Sequence, residues 1–181
     1  MAETKLHGYT GQERLGKMDV DLIDVTVSPD EDDGGAGTVG DLLFQVTEIP
    51  NAVSVPGGSA ILHSVTAISS GTVVTGAFDL VITSDGTDLI DESGDAETGD
   101  AVTSSPDIDS PASVINSTLG FVNFGSLTTL STLAAAGTQS NLGIICKAAS
   151  GSTSLHVWGI VNNTTDYAQG TMTLRFGFIK D

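Results

Sequence analysis

A chain of 181 residues is long enough for one domain with its own core, and its 22 glycines and six Lys plus Arg accompany runs of Val, Ile and Thr rather than helix formers. A net charge of −17 repels phosphate backbones and anionic lipid, so direct nucleic-acid or membrane-surface binding is not expected. The single cysteine, Cys146, excludes an internal disulfide framework and a Cys-rich zinc site.

Residues 1–17 read as an N-terminal arm. They hold Lys5, Arg14 and Lys17, half of the chain's bases, with Gly8, Gly11 and Gly16 between them and no sustained periodicity. The opening residues lack the apolar stretch of a signal peptide, and no apolar run is long enough to span a bilayer, so a soluble protein made in a cytoplasm is expected. The remainder, 18–181, reads as one β domain. From Met18 a period of two sets in, with Ile23, Val25 and Val27 on one face and Asp24, Thr26 and Ser28 on the other. Pro29 and the run Asp30, Glu31, Asp32, Asp33, Gly34, Gly35 end that strand. Leu42, Phe44 and Val46 alternate with Leu43, Gln45 and Thr47 in a second strand. After the turn residues Pro56, Gly57 and Gly58, Ala60, Leu62, Ser64 and Thr66 interleave with Ile61, His63, Val65 and Ala67 in a third.

Further strands are expected at 76–83, 118–124, 142–148, 154–161 and 171–179, about eight in all. In the last, Met172, Leu174, Phe176 and Phe178 share one face, and Thr171, Thr173, Arg175, Gly177 and Ile179 the other. Residues 127–136 approach a helical spacing of leucines, but their Ser and Thr argue against a helix. The stretch 85–111 is acidic, Ser- and Gly-rich and reads as a long surface loop. Many short strands between Gly and Pro turns predict an all-β, single β-sandwich, jelly-roll-like.

Motifs for catalysis are sparse, with no Gly-x-Ser-x-Gly elbow, P-loop, His-Glu-x-x-His or dinucleotide fingerprint. His7, His63 and His156 stand far apart; the latter two fall within strand patterns, where a structural histidine is expected. Cys146 shares a face with Ile144 and Ala148 and reads as a small core residue. No cofactor is expected. Asp30 and Asp32, and Asp85 and Asp88, could offer hard oxygen ligands to calcium, but neither cluster matches an EF-hand loop, and solvated acidic loops are the plainer expectation. Trp158 on a predicted strand could serve as a stacking platform for a sugar.

Two regions carry a resemblance: Glu48-Ile-Pro-Asn-Ala-Val-Ser-Val-Pro-Gly-Gly-Ser-Ala-Ile-Leu-His-Ser-Val-Thr-Ala67, and Lys147-Ala-Ala-Ser-Gly-Ser-Thr-Ser-Leu-His-Val-Trp158 with Gly170-Thr-Met-Thr-Leu-Arg-Phe-Gly-Phe-Ile179. Together they resemble small capsid decoration or head-associated virion proteins of tailed, often marine, bacteriophages. The resemblance covers roughly a third of the chain and rests on turns and strands. It implies a non-enzymatic structural protein on the capsid exterior. Its partner would be the major capsid protein, and it would form a symmetric homo-oligomer, a trimer by preference. Lys5, Arg14 and Lys17 in the arm are the candidate partner-binding residues. The alternative is a carbohydrate-binding or adhesive module of the same fold on a virion or cell surface; a small hydrolase is a third reading, for which no nucleophile and base can be named.

Overall fold

The computed structural model describes residues 20–29, 39–70, 76–86, 90–91, 94–95, 116–131, 134–163 and 171–180. The arm 1–17 and most of the acidic stretch 85–111 lie outside these. The described strands, in chain order, are β1 (Val20–Val27), β2 (Leu42–Ile49), β3 (Ser59–Ser70), β4 (Phe78–Thr83), β5 (Ile90–Asp91), β6 (Gly94–Asp95), β7 (Thr118–Phe124), β8 (Thr128–Ser131), β9 (Ala134–Lys147), β10 (Leu155–Val161) and β11 (Thr171–Lys180). The two-residue strands β5 and β6 pair only with each other.

The remaining strands form two antiparallel sheets, one of five in the order β1-β11-β3-β9-β8 and one of four in the order β2-β10-β4-β7. Setting aside the short β8, eight strands remain, and apart from the hairpin of the fourth and fifth the chain crosses between the sheets at each step: first, eighth, third and sixth in one, second, seventh, fourth and fifth in the other. That is the double Greek key of a jelly roll. The fold class expected from the sequence therefore holds, and its specific wiring comes from pairings such as Val20 with Ile179, which no local pattern encodes.

Alternation delivers the core. Val25, Val27, Leu62, Val65, Met172, Leu174, Phe176 and Phe178 point from the first sheet, and Phe78, Leu80, Ile82, Val122, Phe124, Leu155 and Val157 from the second, into one apolar cluster. Phe78 and Phe124 face each other in register and stack with ring centroids 4.9 Å apart.

The described part of 127–136 is not helical, as its Ser and Thr led us to expect, because β8 and the start of β9 pair with each other there. Two local expectations are corrected. The strand expected at 142–148 is the second half of a much longer one, β9, which begins at Ala134. In β3 the alternation changes phase: Ala60 and Leu62 are buried, but so are Val65, Ala67 and Ser69. The cause is a bulge at His63: Leu62 pairs with Phe178 of β11 and Ser64 with the adjacent Gly177, so β3 holds one extra residue there and resumes on the other phase. On its other side β9 is irregular too, with Ile144 opposite Leu62 and Ser140 opposite Ser64, and Asn141 and Gly143 between them take φ of 58° and 65°.

The two resemblance segments meet at one end of the sandwich. Gly57, with φ 69°, stands third in a turn closed by the Gly58 amide donating to the Val55 carbonyl at 2.8 Å, the geometry of a type II turn after Pro56. Gly151, with φ 85°, plays the same part in a turn closed by Ser152 donating to the Ala149 carbonyl at 3.0 Å. The turns are stitched together by the Gly57 amide on the Ser152 carbonyl at 2.8 Å and the Ala148 amide on the Gly58 carbonyl at 3.1 Å. Ser154 Oγ also donates to Glu48 Oε1 at 2.5 Å. Segments about 100 residues apart thus form one rigid end, with satisfied backbone groups where loops would otherwise leave them open.

Candidate functional site

The residues singled out from the sequence divide into three groups. Lys5, Arg14, Lys17, Asp30, Asp32 and Asp88 lie outside the described residues. Asp85 is half-buried beside β4, and its carbonyl accepts from Thr83 Oγ1 at 2.8 Å. The others are placed within the sandwich. Cys146 is fully buried in the core cluster. Burial pushes its thiol up to about 11, so at neutral pH it is a protonated core residue.

Trp158 is only 4% exposed and packs with Leu42 and Val81 in a second apolar cluster, with Val46 and Ile160 against it. This cluster belongs to the outward side of the four-stranded sheet, since Trp158 pairs with Val81 while Val157 and Ile82 face the core. A ring so enclosed presents no face to a sugar, which corrects its candidacy as a stacking platform. His63 lies in β3 at the phase change and His156 in β10, where the ring fills the space that a side chain on Gly86 would need. Among the described residues no three His, Cys, Asp or Glu side chains converge as a group able to hold a metal ion. Among them, too, no helix is long and apolar enough to cross a membrane.

What the structure assembles instead is a surface on the outward face of the five-stranded sheet. Val20 of β1 pairs with Ile179 of β11, Ile179 with Ile61 of β3, and Ile61 with Ile145 of β9, so four branched apolar side chains stand in one row across four strands. Ile145 is 74% exposed and Leu22, one position further along the outward side of β1, 63%. An open hollow of about 230 Å³ is lined by Ser59, Ala60, Ile61, Ile145 and Ile179. Leu22 lies opposite Gly177, and the missing side chain there lets Leu22 and Val20 rest over β11 within 3.4–3.6 Å of where a Cβ would stand.

Further along the same face the rows turn polar. Asp24 pairs with Arg175, and the guanidinium donates through Nε and Nη2 at 2.7 and 2.8 Å to the two carboxylate oxygens. The bidentate contact from Arg175 holds the Asp24 carboxyl below the usual Asp range. Thr66 and Thr138, opposite each other on β3 and β9, share a hydrogen bond of 3.0 Å.

Charge sorts onto the two sheets unequally. After Lys17 the chain's bases are Lys147, Arg175 and Lys180, and all three lie on strands of the five-stranded sheet. On its outward positions Lys147 and Arg175 stand against Asp24, and at its end Lys180 pairs with Asp21 at 2.7 Å. The four-stranded sheet carries Glu48 and Asp79 and no base. On a chain of net charge −17 the outer face of the five-stranded sheet is therefore near neutral, apolar at one end and hydroxyl-rich at the other. The fold and this surface together define a jelly-roll domain with a broad packing face.

No family model matches the chain, and no curated protein matches it. Among solved structures it is similar to that of tomato aspermy virus, at 8% identity over 90% of this chain and 78% of the other, with a TM-score of 0.35. It is also similar to a semi-empty VLP of the Macrobrachium rosenbergii nodavirus, at 8% identity over 88% and 92% of the two chains and a TM-score of 0.36. A third likeness is to a full particle of deformed wing virus, at 10% identity over 98% and 85% and a TM-score of 0.33. None of these three is from a tailed phage. Likenesses of this weakness carry no argument of their own, and the jelly roll stands on the strand order given above.

Proposed function

We propose that this chain is a non-enzymatic structural virion protein that decorates the exterior of a tailed-phage capsid and reinforces it. The observation that carries this reading is the broad, near-neutral outer face of the five-stranded sheet on a closed jelly roll. It is crossed by an exposed apolar row, which suits packing against another protein rather than enclosing a substrate. The strands quoted for the resemblance, β3 and β11, build the middle of that face. The interlocked turns at Gly57 and Gly151 brace one end of it.

In this reading the major capsid protein is the partner, the virion exterior is the location, and the protein assembles as a symmetric homo-oligomer. The arm 1–17, with Lys5, Arg14 and Lys17, tethers the domain to the capsid, while the acidic loops stay pointed away from like charge. The acidic stretch 85–111 and the clusters at Asp30, Asp32, Asp85 and Asp88 serve as solvated surface that discourages unwanted association.

The test is to add the purified full-length protein to capsids that have lost it and to measure occupancy. Saturable binding at a fixed ratio to the major capsid protein is expected, and deletion of residues 2–16 should lower occupancy at least tenfold while the far-ultraviolet strand signal stays intact. Capsids that take up no protein at any concentration would rule the reading out. Normal occupancy of the deleted form would rule out the tether.

A further inference from the structure

The outward faces of the two sheets differ in a way that singles out one of them for an occupant. On the four-stranded sheet the outward apolar cluster of Leu42, Val81 and Trp158 is already out of solvent within the single chain, with Phe121 of β7 exposed beside Val81. On the five-stranded sheet the row of Val20, Ile179, Ile61 and Ile145, with Leu22 beside it, remains in solvent: four of these five rank among the exposed large hydrophobics, and Ile179 is half-buried at the hollow.

We infer that this face binds a second copy of the same chain, related by a two-fold axis, with the apolar row of one sheet packed on that of the other. Three observations choose a second copy. The first is charge. Two copies each carrying −17 repel, and of the two described sheet faces the one that holds Asp24 against Arg175 and Lys147 brings less acid to acid than the other, which carries Glu48 and Asp79 and no base. The second is shape. The same face carries both projecting side chains, Leu22 and Ile145, and a hollow lined by Ile61, Ile145 and Ile179, and a two-fold pairing requires one surface to supply both members of each contact.

The third is area. Five strands about 4.8 Å apart, the longer ones some ten residues at about 3.3 Å each, present roughly 600–800 Å², close to what one partner contributes to a standard-size interface. Sheets packed face to face in this way form the same kind of contact as the two layers of a β-sandwich. The pairing deepens the assembly part of the proposed function and replaces the trimer preference with a two-fold unit, although the geometry behind it involves only this chain.

Sedimentation of the full chain across about 1–100 μM tests the inference. The wild type is expected to run at twice the monomer mass, with tighter association as added salt screens the net charge. Ile145→Asp should raise the dissociation constant at least tenfold with an unchanged far-ultraviolet strand signal, since Ile145 touches solvent rather than core. Phe121→Asp, at an exposed position on β7 of the four-stranded sheet, should leave it unchanged. A wild-type monomer at the highest concentration, a trimer, or a dimer indifferent to Ile145→Asp would each overturn the inference. A monomer that still fills capsids would remove the pairing and leave the virion reading standing. A dimer that never binds capsids would do the reverse.

Discussion

Gly159→Ala is expected to destabilise the protein by about 2–3 kcal/mol, an unusually large effect for adding one methyl group. Gly159 sits in the middle of β10, paired with Phe44 of β2 on one side and Leu80 of β4 on the other, and the register to β2 slips on both sides of it. The slip draws the Phe44 ring directly over Gly159, into the space where a Cβ would stand. Phe44 is 2% exposed and belongs to the main core cluster, so the ring has no route into solvent. The alanine methyl must push either the ring or β2, and both are packed. Urea melts of Gly159→Ala, Phe44→Leu and the double variant check this account. If the contact is the cause, the double variant loses clearly less stability than the two single losses added together. Strict additivity would show that the glycine is needed for its backbone and not for the ring.

Phe78→Ala should cost more, about 3–5 kcal/mol, in keeping with truncation of a fully buried aromatic. Phe78 opens β4, is completely inaccessible to solvent, and stacks at 13° between ring planes on Phe124 of β7. It thereby ties the last pair of strands in the four-stranded sheet to the core, and its removal leaves a cavity bordered by Phe124 that β-sheet geometry cannot easily close. Against a typical domain stability of about 5–15 kcal/mol, the variant should unfold at a much lower urea concentration or fail to accumulate. A loss under about 1 kcal/mol would mean that this end of the sandwich repacks freely.

The strand content was legible because large apolar residues alternate with polar ones in β1 and β11, and the turn at Pro56-Gly57-Gly58 was legible because a type II turn needs a glycine third and favours proline second. The first half of β9 was not. Ala134, Ala135, Ala136, Gly137, Thr138 and Ser140 have too little contrast in hydrophobicity to show a period, and the segment becomes a strand because β3 and β8 flank it. The phase change in β3 was hidden because it comes from a single residue, His63, bulging against β11, and where a strand bulges depends on its partner's register.

The candidate surface was half legible. Ile61-Leu62, Ile144-Ile145 and Phe178-Ile179 each place two large apolar residues at consecutive strand positions, and where the strand runs regularly one of the two must then face away from the core. That Ile61, Ile145 and Ile179 fall into one row depends on register between strands as far apart in sequence as β3 and β11, which the pattern within a strand does not carry. The uneven sharing of charge was visible only as a long stretch without bases between Lys17 and Lys147; that the later bases gather on one sheet is a consequence of the fold.

In the proposed role this chain is a repeated building element of a particle. Quantitative mass spectrometry of purified phage particles from the source of this sequence measures that most directly, by the copy number of this chain relative to the major capsid protein. Hundreds of copies per particle, in a simple ratio to the capsid subunits, are expected. Absence from the particle, or a handful of copies as for a tail or fibre part, would contradict that role.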